Sequence, residues 1–169
     1  NLKTGEKIHK RVFGWRSEGG GQIGGTQALL SDGQLYSAGS HHFLALSEKT
    51  GAAGFAYIPG QQLTFRGTKA YIATGKEVIA VDREEHRLAT LKRQELYETP
   101  RNFRSDPAKL AEIERQMDEF AKGGTLWTKP FVAESSIALT GNAVLVGGMD
   151  EVRAFDLVDG REVWTAKLD

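Results

Sequence analysis

Apolar positions in this chain fall in short runs broken by glycine, aspartate and serine. The C-terminal stretch AVLVGGMDEVRAFDLVDGREVWTAKL, Ala143 to Leu168, reads as three strands and two tight turns. The run Ala143–Val146 stops at Gly147–Asp150, the run Val152–Phe155 stops at Asp156–Gly160, and a third extends from Arg161 to Leu168. Such runs, punctuated by Gly and Asp, are hairpin signatures. The pattern recurs upstream. Ala154–Phe155–Asp156, which closes the middle strand, has counterparts in Ala80–Val81–Asp82 and Ala45–Leu46–Ser47. Ala45 and Ala80 are 35 residues apart; Ala80 and Ala154 are 74 apart, which is the same period plus 39. Gln34–Ile58, Lys69–Leu91 and the C-terminal stretch align strand for strand, and Leu2–Gly5 repeats Glu48–Gly51. Fixed-period self-similarity of all-β units predicts a propeller or a β-solenoid. Four short strands per 35-residue period is the anatomy of a propeller blade.

In order, residues 1–13 are expected to be the outer strand of a preceding blade and 14–26 a glycine-rich connector. Residues 27–59 and 61–91 are two blades, 92–133 a helical insertion, and 134–169 a further blade. Within the insertion, Ser105–Asp106–Pro107 is a helix-start signal with Ser105 as N-cap. Leu110, Ile113, Met117 and Phe120 recur at helical spacing until Gly123–Gly124, so Asp106–Lys122 is predicted to be an amphipathic helix with those four residues facing protein. Arg115–Glu119 and Asp118–Lys122 are opposite charges four residues apart on its polar face.

The spacing Ala154-x-Asp156-x-x-x-Gly160-x-x-x-Trp164 resembles the repeat of pyrroloquinoline-quinone (PQQ) type propellers, often called the tryptophan-docking motif. The resemblance implies that Ala154, Asp156, Gly160 and Trp164 end a blade and that Trp164 packs against the next one. The other units match it incompletely. The first offers Ala45, Ser47, Gly51 and Phe55, the second Ala80, Asp82, His86 and Thr90, and the N-terminal copy has Gly5 with His9 in the Trp place. The fold class is therefore all-β, a PQQ-like β-propeller of about three four-stranded blades plus one extra strand, with one helical insertion. Dehydrogenases of this family hold PQQ and calcium on the axis of a closed ring of about eight blades. Other members bind no quinone and act as scaffolds, among them a lipoprotein of the outer-membrane β-barrel assembly machinery. Three blades do not close such a ring. The resemblance also implies a periplasmic or otherwise extracytoplasmic location.

Composition narrows this further. Lys plus Arg and Asp plus Glu each number 22, so the formal net charge is zero, without the basic excess of a nucleic-acid or anionic-membrane binder. The absence of cysteine excludes disulfides, thiolate metal sites and a cysteine nucleophile, and with them the vicinal cysteine pair of many PQQ alcohol dehydrogenases. No run is apolar enough to span a bilayer.

Each candidate for chemistry has a plainer reading beside it. His41–His42 are adjacent in an expected hairpin turn, where neighbouring side chains diverge; His9 and His86 are isolated in sequence. Gly19–Gly25 lacks the strand-before, helix-after context of a phosphate loop, and Ala73–Thr74–Gly75–Lys76, which mimics the end of one, falls in a repeat turn. Glu84–Glu85 and Asp118–Glu119 are expected to be solvated. Of Trp15, Trp127 and Trp164, the repeat register assigns a packing role to Trp164 only. No catalytic, metal or cofactor-binding residue is nominated. The sequence favours a non-catalytic scaffold whose partners are proteins or further blades, with no nucleic acid. The alternative is part of a PQQ-dependent dehydrogenase, which would bring PQQ and calcium. The two ends of a three-blade arc are expected to be apolar and open, with Leu30, Tyr36 and Leu44 at one end and the strands Ala143–Val146 and Val152–Phe155 at the other, so that the chain does not persist as an isolated monomer but is part of a longer polypeptide or associates with other chains that supply the missing blades.

Overall fold

The computed structural model describes residues 27–38, 43–50, 53–55, 62–98, 106–133 and 136–168, together with Thr4, Glu6 and Gly60. The connector 14–26, His9, Trp15 and His41–His42 lie outside the described residues. Three four-stranded antiparallel meanders make up the β structure. The first holds β1 (Gln27–Ser31), β2 (Gln34–Ala38), β3 (Phe43–Ser47) and β4 (Ala53–Phe55). The second holds β5 (Gln62–Arg66), β6 (Lys69–Ala73), β7 (Glu77–Asp82) and β8 (Thr125–Pro130). The third holds β9 (Ile137–Leu139), β10 (Ala143–Gly147), β11 (Glu151–Asp156) and β12 (Glu162–Lys167). Helices α1 (Arg83–Glu98) and α2 (Pro107–Ala121) lie between β7 and β8.

The repeat survives at the level of register. Ala45 pairs with Phe55, Ala80 with Trp127 and Ala154 with Trp164, and in each sheet the ladder shifts at the next residue. The turns match as well: Glu48 N–H donates to Gly33 O, Arg83 N–H to Thr68 O and Leu157 N–H to Asn142 O. The central strands β6 and β7 of the second sheet bury both faces, because a sheet lies on either side. Leu63, Ala70, Ile72, Ile79 and Val81 pack against Tyr36 and Leu29 of the first sheet. Tyr71, Ala73, Val78, Ala80 and Trp127 pack against Val144, Val146, Phe155 and Leu157 of the third. The first strands β5 and β9 approach each other, which places β8 and β12 at the periphery.

The second unit departs from the sequence expectation. Residues 83–91 were expected to complete its strands but begin α1, and its fourth strand is β8, inside the segment 92–133 assigned to the insertion. Asp82 explains the helix start: its Oδ1 accepts the N–H groups of Glu84 and Glu85, capping a 16-residue run without glycine or proline. The helical segment is a two-helix excursion between the third and fourth strands of one sheet, and it returns at Gly123–Gly124. Asp82 N–H donates to Gly124 O. Gly124 has φ +76°, and a Cβ there would stand 2.5 Å from His86 N and 2.8 Å from Asp82 O, so only glycine fits this closure. The second helix is where the periodicity puts it, but its N-cap is Asp106 rather than Ser105, with the side chain accepting from Lys109 N. Its apolar stripe is only partly covered: no residue of α2 is buried. The Arg115–Glu119 pair forms at 3.1 Å.

Candidate functional site

The functional question turns on what each sheet presents to its neighbour. Trp127, on β8, is 7% exposed and lies on the turn after β11 of the third sheet. That turn is built by Asp156, whose Oδ1 accepts Val158 N–H at 2.7 Å and whose carbonyl accepts Gly160 N–H at 3.0 Å. The resulting left-handed Gly160, φ +68°, lies face to face with the indole: a Cβ there would be 2.6 Å from Trp127 Cδ2. Trp127 Nε1–H points at Leu157 O from 3.5 Å and Tyr71 O–H donates to the same carbonyl at 3.1 Å. Phe155 completes the aromatic contact, its ring centroid 6.4 Å from that of Trp127. Burial raises the Tyr71 phenol above its ordinary pKa, so it remains a donor throughout the neutral range.

Of the motif residues nominated from the sequence, Ala154 is fully buried and Asp156 and Gly160 form the receiving turn. Trp164, expected to pack against a following blade, stands on the last strand, β12, and is 44% exposed, and among the described residues the buried tryptophan contact between sheets is made by Trp127. The glycine turn that receives Trp127 is that of the following sheet, at Gly160. Sequence reasoning passed over Trp127 because α1 and α2 separate it from Ala80. One signal was available: Gly123 precedes Trp127 by the four residues that separate Gly160 from Trp164.

Two arginines tie the sheets together near the same turns. Arg83, 9% exposed, reaches from the start of α1 into the first sheet. It donates to Ser31 Oγ at 3.0 Å, Tyr36 O–H at 3.3 Å, Asp32 Oδ2 at 2.5 Å and Gly67 O, and its guanidinium lies 4.8 Å from the Phe65 ring centroid. The hydrogen bond from Arg83 holds the Asp32 carboxyl below its usual pKa. Arg66 donates to Thr140 O and Gly141 O of the third sheet.

The other candidates occupy structural places. His86 is fully buried in α1, with Nδ1 2.8 Å from Gly123 O, and burial lowers its pKa. Glu84 and Glu85 lie in the first turn of α1, where Glu84 pairs with Arg87 at 2.6 Å. Asp118 and Glu119 are on α2, Glu119 bound to Arg115. Thr74–Lys76 is the β6–β7 turn, in which Thr74 Oγ1 accepts Glu77 N–H at 3.1 Å and a strand follows, not a helix. Among the described residues no group of three His, Asp or Glu side chains gathers around a common point. A cavity of about 610 Å³ opens at the seam of the second and third sheets, lined by Lys76, Phe131, Glu151, Arg153 and Lys167. Its arginine is already engaged, at 2.8 Å from Glu151 and 3.6 Å from Glu162.

Two solved structures share this arrangement. The computationally designed Ika8 protein superposes with a TM-score of 0.54 at 11% identity, over 84% of this chain and 36% of that one. A quinohemoprotein alcohol dehydrogenase, ADHIIG from Pseudomonas putida HK5, superposes with a TM-score of 0.52 at 14% identity, over 83% of this chain and 20% of that one. The sheets are β-propeller blades. The chain thus spans about a third of one of these proteins and a fifth of the other. No family model and no curated protein matches the chain. At such identities the likeness describes fold alone. Among the described residues no helix is long and apolar enough to cross a membrane.

The open ends of the three-blade arc differ in one respect from expectation. Tyr36, assigned to the open end of the first blade, is 5% exposed and faces the second blade; Leu30 and Leu35 are the exposed apolar residues there. The side chain of Leu44 lies outside the described residues. At the other end, Leu145, Val152 and Ala154 share the outer face of the third blade with Trp164.

Proposed function

We propose that this chain is a non-catalytic, PQQ-like propeller segment that works as a protein-interaction scaffold through the open faces of its end blades, in an extracytoplasmic setting. One observation carries the reading. The outer face of the third blade repeats the face with which the second blade holds the third, Val78, Ala80 and Trp127 being matched by Val152, Ala154 and Trp164. On the third blade this face carries a 44% exposed tryptophan on the edge strand β12. Aromatic residues flanked by small and aliphatic ones are common interaction anchors. The dehydrogenase alternative draws on the fold likeness to a quinohemoprotein alcohol dehydrogenase.

A dye and a cofactor titration separate the two readings. Bis-ANS should bind the wild-type chain, and Trp164→Arg should remove most of that binding without lowering the melting temperature. Dye binding indifferent to this substitution would overturn the scaffold reading. Titration with PQQ and calcium should leave the melting temperature unchanged; a saturable rise would favour the dehydrogenase alternative.

A further inference from the structure

The cavity between the second and third blades has a chemistry of its own, independent of the scaffold reading. We infer that it binds a small amphipathic monoanion, a carboxylate carrying an apolar chain, with the head group held by Lys76 and Lys167 and the chain lying along Phe131, Val132 and Met149.

Both walls of the cavity belong to blades that face each other within the molecule. On β11, Phe155 packs against Trp127 and so faces the second blade, and Arg153 and Glu151 follow on the same side at the two-residue spacing of a strand. The Arg153 guanidinium lies 5.0 Å from the Phe131 ring centroid, and Phe131 meets Phe155 edge-on at 6.0 Å. Lys167 pairs with Glu151 across β11 and β12, which puts it on that side as well. Val152 and Ala154 alternate to the opposite face. The cavity is a feature of the internal seam, whatever precedes or follows these blades.

Its lining divides by chemistry. Phe131 is buried and closely fitted: a Cβ on Gly148 would stand 3.1 Å from its Cζ. Beside it, Val132 is 59% exposed and Met149 73% exposed, two large apolar side chains at one cavity. The lining also carries three cations, Lys76, Arg153 and Lys167, against two carboxylates, Asp150 and Glu151, an excess of one positive charge. Arg153 is committed to Glu151 and Glu162. The ammonium groups of Lys76 and Lys167 have no hydrogen bond or ion pair among the described residues, so the spare charge resides on them. The backbone offers no phosphate cradle in their place. Gly148 N–H donates to Glu151 O, Phe131 N–H to Lys76 O and Leu168 N–H to Asp150 O, so these donors are spent within the walls. A single carboxylate balances the excess charge, and the apolar wall takes the chain attached to it. The volume, about 610 Å³, lies within the roughly 300–1,000 Å³ of small-molecule sites.

Sodium octanoate is the probe. Isothermal titration calorimetry at low ionic strength should show saturable binding of one octanoate per chain, weakened by added salt. Acetate, the head alone, and 1-octanol, the chain without charge, should each bind more weakly. Lys76→Glu and Lys167→Glu should each raise the dissociation constant roughly tenfold, because reversal replaces an attraction by a repulsion. Both side chains are exposed, so both variants should keep the wild-type melting temperature. Val132→Asp, which sets a carboxylate on the apolar wall, should weaken binding without touching either lysine. Lys122→Glu, the same charge change at the end of α2, should leave the affinity unchanged. Absence of saturable octanoate binding, equal affinity for 1-octanol, or a loss at Lys122→Glu as large as at the two cavity lysines would overturn the inference. Trp164→Arg alters the opposite face of the third blade and should not change octanoate affinity; a loss there would place the ligand outside the seam and overturn the inference, whereas the dye result at Trp164 bears on the scaffold reading alone.

Discussion

Replacing Trp127 with alanine tests the internal seam. The indole is 7% exposed and is wedged between Tyr71, Phe155 and the backbone of Gly160, whose missing Cβ leaves room for the ring. Its hydrogen bond to Leu157 O is long, 3.5 Å, and Tyr71 still satisfies that carbonyl at 3.1 Å after the tryptophan is gone. The loss is therefore almost wholly one of packing, with no buried acceptor stranded, and large-to-small aromatic changes of this kind cost about 3–5 kcal/mol. Trp164→Ala, at a half-exposed site, should cost less than about 1.5 kcal/mol. Urea titration followed by far-UV circular dichroism gives both values from midpoints at a common slope. The Gly160 contact can be isolated with a cycle. Gly160→Ala alone meets the ring at 2.6 Å from a left-handed backbone, so it should be severely destabilising, and much of that cost should vanish in the Trp127→Ala background. Equal costs at the two tryptophans, or additive effects of Trp127→Ala and Gly160→Ala, would refute the docking geometry.

Other consequences are as specific. Arg83→Met removes the donors that bind the second blade to Ser31, Tyr36 and Asp32, and should cost about 2–4 kcal/mol; Arg83→Lys should not rescue it, since one ammonium cannot span those acceptors. Burial keeps the folded-state pKa of His86 below the ordinary 6.5, so the unfolded chain binds that proton more tightly. Its contribution is fully present above about pH 6.5, declines as pH falls towards the lowered folded-state value and then levels off; His86→Phe should flatten the wild-type loss of melting temperature between about pH 6.5 and 5. Glu112 is held at about 2 by Arg115 and Gln116, so it stays ionised and unchanging throughout that interval. Excising residues 84–123 and joining the ends of β7 and β8 through a tight turn should remove the helical signal and leave the β signal, because those ends are already hydrogen-bonded; loss of the β signal would make the helices part of the fold's core.

The blade architecture was legible because it is written redundantly. The alanine-led tripeptide and the apolar runs recur at one period, lengthened once by the helical segment, and the first and third blades are four-stranded sheets within the repeat units. The second blade misled because one interval carried two signals. Asp82 serves in the repeat tripeptide and also caps α1, so alignment by period carried the strand pattern past the point where a helix starts. The docking residue was then sought ten residues beyond Ala80, at Thr90, although the chain reaches that place only at Trp127. Spacing along the sequence reports packing only while the connections stay constant. Tyr36 shows a related limit: alternation separates the two faces of β2, but which face meets a neighbour depends on the sense in which the blades follow one another.

Oxidative footprinting of the tryptophans measures the central claim most directly, since one docking face is filled and its repeat is open. At high dilution, Trp164 should be modified readily while Trp127 remains protected. Comparable protection of both residues at high dilution, or preferential modification of Trp127, would contradict the account.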